Sequence, residues 1–179
     1  MNITNRSRRL GWLLLASCVL VSLGQAPPGR AQETELIEFK IKDQFDRLYT
    51  DRRFRGSPLV LVWGDRYGSE FSGLWGNALR DSLATEVRSY RLQIVEVAHL
   101  KGVPFFIKGK IKGSFPSDRD DWLLTDWGGA INAAYHCAPD SCNLLIFDAK
   151  GKLAQHQTVG AITEPELAAT LTSLRRLLK

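Results

Sequence analysis

An α/β domain with a mixed central sheet and helices on both faces is the fold class that the sequence predicts. Three observations carry that expectation. Leu59-Val60-Leu61-Val62-Trp63 is apolar on both faces of an extended chain, as a central strand covered by helices must be. Strand patterns then alternate with helical patterns as far as Phe147, and alternation of this kind builds a sheet with helices packed across it. Last, a turn at Asp148–Lys152 joins two strand patterns ahead of a final helix, adding an antiparallel pair.

Each element has a local reason. Leu36 to Ile41 alternates as a half-buried strand and Lys42-Asp43-Gln44 supplies a turn. Ser69 to Val87 carries Phe71, Leu74, Trp75, Ala78 and Leu79 on one helical stripe, with Ser69 placed to cap its start. Leu92 to Ala98 is the next strand, Val103 to Phe115 a short helix, and Trp122 to Thr125 a short strand. A small helix from Gly129 to Tyr135 leads to the strand Asn143–Phe147, and Gly151 provides the positive φ for the hairpin into Leu153–Val159. Thr163-Glu164-Pro165-Glu166 reads as a capping box opening a helix whose buried face is Leu167, Leu171, Leu174 and Leu178. No repeat or linker divides the chain.

Residues 1–31 read as an export leader. Arg6, Arg8 and Arg9 precede an apolar run from Leu10 to Leu23, and small residues and prolines lead to Gly29-Arg30-Ala31. The run is shorter than the roughly 20 residues that a membrane-crossing helix needs. Two processing schemes compete. Cleavage after Ala31 releases a periplasmic or secreted domain of residues 32–179. Alternatively, Leu15-Ala16-Ser17-Cys18 resembles a lipobox, which makes a membrane-anchored lipoprotein lipidated at Cys18. Soluble release is preferred because Val19–Leu23 continues the apolar run past Cys18.

The leader also accounts for most of the net charge of +5. Without it, 20 basic residues face 19 acidic ones, so no concentrated basic surface points to nucleic acid. Cys137 and Cys142 remain in a chain that leaves the reducing cytosol, and an even pair in that setting is expected to form a disulfide.

The element order resembles the thioredoxin-like superfamily, in particular its redoxin and peroxiredoxin branch. Trp63 followed by Gly64-Asp65-Arg66 looks like the approach to a thioredoxin active-site turn, and Asn143–Phe147 with Lys150-Gly151 looks like the closing half. Asp43-Gln44-Phe45-Asp46 and Phe54-Arg55-Gly56 are similar to the opening segment of redoxin domains. The departures are chemical. Tyr67-Gly68-Ser69-Glu70 stands where the resemblance implies Cys-x-x-Cys, and no peroxidatic cysteine opens the helix. Thiol–disulfide exchange needs a nucleophilic sulfur and a sulfur leaving group, which these side chains lack. Cys142 takes the register of the family's cis-proline, and a non-proline residue is expected to be trans there.

The resemblance therefore implies a groove between Tyr67, Gly68, Ser69 and Glu70 on one side and the Cys137–Cys142 loop, with Ser141, on the other. Its expected occupant is another cell-envelope protein, and no cofactor is implied. Cys137 and Cys142 admit three readings: a structural disulfide, a redox pair with Cys137 attacking beside His136, or a copper or zinc site using His136, Cys137 and Cys142 with His99 or His156. If the protein is an enzyme, the family implies a thiol-disulfide oxidoreductase or a redoxin-like antioxidant protein. Asp65 and Glu70 could form an acid/base pair, although a solvated loop explains them more simply. Lys101, Lys108, Lys110 and Lys112 could touch anionic headgroups or simply mark a surface helix.

Overall fold

The computed structural model describes residues 32–179, so the leader and the lipobox at Cys18 lie outside the described residues. Seven strands form one mixed sheet: β1 Lys40–Asp43, β2 Leu48–Thr50, β3 Leu59–Gly64, β4 Gln93–His99, β5 Leu124–Asp126, β6 Cys142–Phe147 and β7 Leu153–Val159. Their order across the sheet is β2-β1-β5-β4-β3-β6-β7. The parallel pairs are β3–β4 and β4–β5, and the remaining neighbours run antiparallel. The helices are α1 Ser69–Ser82, α2 Ala84–Arg88, α3 Lys108–Lys112, α4 Ala130–Tyr135 and α5 Glu164–Leu177.

The centre follows the expected logic. Every residue of β3 and β6 is buried, because helices or chain segments cover both faces. Alternation along the strands divides the core in two. Val60, Val62, Leu144 and Ile146 pack with Trp75, Leu79 and Leu174, beneath α1 and α5. Leu59, Leu61, Leu145 and Phe147 pack on the other face with Phe39, Ile131 and Tyr135. The Tyr135 hydroxyl accepts from Ile37 N (2.9 Å) and donates to Glu35 O (2.7 Å), fastening the N-terminal segment over that face.

Several local expectations change. The first strand is displaced to Lys40–Asp43, and β2 is an added strand. Asp43 makes that hairpin: its Oδ1 accepts from Phe45 N and Arg47 N, both at 2.9 Å, and Asp46 takes φ +65°. The expected helix 69–87 breaks at Leu83, and Leu74 is exposed, so the buried stripe of α1 is Ser72, Trp75, Gly76 and Leu79. Between Val103 and Phe115 the chain forms a 3-10 turn, Phe105–Ile107, and the short α3, where Gly109 and Gly113 disfavour a longer helix. Ser69 is the first helical residue rather than a cap; its Oγ donates to Arg66 O at 3.0 Å. Thr163 Oγ1 donates to Glu166 Oε2 (2.7 Å), so that pair closes on itself instead of capping amides.

Candidate functional site at the sheet edge

The C-terminal end of β3 and the loop before β6 meet at one edge of the sheet, and Asp65 joins them. Its Oδ1 accepts from Tyr67 N (3.0 Å) and Gly68 N (2.8 Å), shaping the turn into α1. Its Oδ2 accepts from Asp140 N across the junction at 2.9 Å. Asp65 is thereby committed to three amides, which removes it from the acid/base pair imagined with Glu70.

Two glycines let the backbones approach. A Cβ on Gly64 would stand 2.8 Å from Ser72 Oγ, so the first turn of α1 can sit against the strand end only without it. A Cβ on Gly68 would stand 2.1 Å from Ser141 O, so the turn and the loop are in direct backbone contact. The structure thus brings together Gly68 and Ser141, as the expected groove requires, but it closes the space between them. Tyr67, Ser69 and Glu70 remain exposed on the rim, with the Arg66 guanidinium 5.6 Å from the centre of the Tyr67 ring.

Cys137 and Cys142 depart from expectation. Both are buried free thiols. Cys142 belongs to the core beneath α1, in phase with Leu144 and Ile146, whereas Cys137 packs into the opposite core with Ile131 and Tyr135. The sheet therefore separates the two sulfurs, and no disulfide staples the loop. Burial pushes each thiol up to about 12. His136 caps α4 in a left-handed conformation (φ +54°) and is exposed while Cys137 is buried, so it does not activate that thiol. The expected ligand set of His136, Cys137 and Cys142 is not assembled; among the described residues no group of three or more His, Cys, Asp or Glu side chains converges as metal donors.

Asn143 fastens the loop instead. Fully buried, it accepts from Ala138 N through Oδ1 and donates to Ala138 O through Nδ2, both at 2.9 Å. His156 Nε2 lies 3.0 Å from the same Oδ1, and since an amide oxygen only accepts, that nitrogen carries the hydrogen. Burial lowers the pKa of His156, in keeping with a neutral ring. All peptide bonds among the described residues are trans, including the one before Cys142.

Beside this closed junction lies an open cleft of about 960 Å³, between the start of α1 and residues 100–115. Glu96 of β4 lines it and bonds Arg80 of α1 at 2.8 Å. Gly76 makes this possible, because a Cβ there would stand 2.4 Å from Glu96 Oε1. Burial raises the Glu96 pKa against the opposing pull of Arg80. His99 also borders the cleft, its pKa lowered by burial and its Nδ1 buried without a hydrogen-bond partner. Neither Glu96 nor Arg80 stood out in the sequence. The available signal was a carboxylate inside the largely apolar strand run Leu92–Ala98, with a glycine on the helix that covers it.

Strand order, the hairpin preceding β3 and the crossing at the start of α1 together define a thioredoxin-like fold, and comparisons with solved structures support it. The chain is similar to a protein described as thiol:disulfide interchange protein DsbE of Chlorobium tepidum, with TM-score 0.62, 13% identity, and coverage of 83% of this chain and 100% of that one. It is also similar to the exposed lipoprotein thioredoxin of Streptococcus pneumoniae (0.57, 18%, 78% and 99%). Peroxiredoxin Q of Xanthomonas campestris matches at 0.56 and 14%, covering 79% of this chain and 92% of its own. Identities this low establish the shared fold alone. No protein-family model matches the sequence, and no curated protein matches it.

Proposed function

We propose that this chain is an exported thioredoxin-fold binding module without thiol–disulfide catalysis, acting on another protein of the cell envelope. One observation carries the reading: both thiols of residues 32–179 are buried on opposite faces of the sheet, and the turn after β3 holds Tyr67-Gly68-Ser69-Glu70. A thiol held near a pKa of about 12 is almost entirely protonated at neutral pH, and the thiolate is the nucleophile. What the edge presents instead is a rigid rim: exposed Tyr67 and Glu70 stand beside a junction fixed by Asp65 and Asn143. A rigid aromatic at a fixed edge suits protein recognition, because little side-chain freedom is lost on contact. Export rests on the leader pattern of residues 1–31, and the exposed lipoprotein thioredoxin among the similar structures fits a location outside the cytosol.

Insulin reduction and photocrosslinking test the proposal together. Residues 32–179 should not accelerate insulin reduction by dithiothreitol. A photoreactive residue at Tyr67 should give a discrete protein adduct in intact cells, whereas one at Tyr90, still more exposed and before β4 at the opposite end of the sheet, should not. Turnover that Cys137→Ala abolishes would instead establish the oxidoreductase reading, which the DsbE-type neighbour favours.

A further inference from the structure

Residues 100–117, which wall the open cleft, contain four lysines and no acidic residue. At their tip, Phe105 and Phe106 are 82% and 74% exposed. The two rings meet edge to face, 5.9 Å between centres, so they pack on each other rather than on the core. Pro104 precedes them and the 3-10 turn holds them in fixed geometry. Around this tip, Lys101, Lys108 and Lys110 are exposed; Lys108 lies over the Trp127 ring at 4.7 Å, and Lys112 pairs with Asp46.

We propose that this turn docks the domain on an anionic phospholipid surface, with Phe105 and Phe106 inserted at the acyl boundary and Lys101 and Lys110 against headgroup phosphates. The chemistry favours lipid over protein. Large apolar side chains beside lysines, and the absence of acidic residues from the segment, are the composition of interfacial membrane anchors. Protein interfaces, in contrast, deplete lysine and favour arginine. The acidic run Asp118–Asp121 lies beyond Pro116 and is held toward the β1–β2 hairpin, where Gln44 Nε2 donates to Asp121 O and Arg47 Nη2 to Arg119 O. This surface and the Tyr67 rim border the same cleft from opposite sides, but the lipid contact does not depend on what the rim binds.

Co-sedimentation with vesicles tests the inference. Residues 32–179 hold both halves of the core and every strand of the described sheet, and using them removes the expected leader, whose apolar run would itself bind lipid. The domain should pellet with phosphatidylglycerol–phosphatidylcholine vesicles at low salt, much less at high salt, and not with phosphatidylcholine alone. Phe105→Ser with Phe106→Ser should abolish sedimentation, while Tyr90→Ser, an equally exposed aromatic elsewhere, should leave it unchanged. Lys101→Gln with Lys110→Gln should weaken binding about twenty-five-fold, each lysine being worth about a factor of five near an anionic surface. Because all five positions are exposed, unchanged circular dichroism should accompany each loss. Failure to pellet with anionic vesicles, equal binding to neutral ones, or full binding by the double phenylalanine variant would overturn the proposal. A crosslink from position 105 to a protein, without vesicle binding, would replace the lipid with a protein partner.

Discussion

The junction at Asp65 and the cleft over Glu96 lie side by side at one end of the sheet, yet they are built in opposite ways. At the junction, backbone meets backbone: Gly68 rests on Ser141, Asp65 is spent on amides of the loops, and Asn143 bonds the backbone of Ala138 while His156 of β7 holds its Oδ1 from behind. At the cleft a glycine also permits close approach, but Gly76 makes room for a carboxylate, and the space beyond stays open. The difference teaches that close packing at this edge serves two ends. It fixes the loops where thioredoxin-like proteins carry out thiol chemistry, and it holds an ionisable pair beside a space that a ligand can enter.

The largest effect should come from breaking the closed side. Gly68→Val drives a Cβ into the Ser141 carbonyl, which is backbone and cannot swing away, so we expect a loss of about 3 kcal/mol in urea unfolding. Gly73→Ala, on the same helix with nothing within 4 Å, should instead stabilise by about 0.5–1 kcal/mol, separating collision from a general intolerance of α1. Asn143→Ala leaves Ala138 N and O without their buried partner and should cost about 2 kcal/mol, detectable as faster hydrogen exchange in residues 137–142.

Breaking the open side should cost less. Gly76→Ala meets the movable end of Glu96, and we expect a loss of about 1–2 kcal/mol as the Arg80 pair shifts. Glu96→Gln tests the electrostatics. The folded state raises the Glu96 pKa, so this carboxyl favours folding below the ordinary glutamate range, and that contribution disappears as pH rises through the raised value. The wild-type chain should therefore lose stability relative to Glu96→Gln as pH rises above the ordinary glutamate range. A difference that is flat with pH would mean that the Arg80 pair offsets the burial of Glu96 in full.

Much of the fold was legible because the central strands announce themselves. β3 is an unbroken apolar run and β4 and β6 are rich in apolar residues, Gly151 takes the positive φ assigned to it (+86°), and the small helix expected from Gly129 starts there, with Asp126 accepting from Gly129 N, Ala130 N and Ile131 N. β2 was hidden because three residues, with Leu48 exposed, give no period to detect. The site was less legible. Asp65 acts on Asp140, 75 positions away, and local spacing holds no trace of such a contact. The expected disulfide is not formed in the structure, and the strand gives the reason. Cys142 is already extended as part of β6, two residues before Leu144, so its thiol lies on the Leu144 and Ile146 face, whereas Cys137 packs with the core of the other face.

The central claim is that this edge carries no reactive sulfur, and thiol accessibility tests it most directly. Intact mass and iodoacetamide labelling of residues 32–179 at mildly alkaline pH, with and without denaturant, give the answer in one experiment. The domain should show the full reduced mass, negligible labelling when folded, and two labels once it is unfolded. A mass lighter by two hydrogens, or rapid labelling of Cys137 or Cys142 in the folded protein, would contradict that claim.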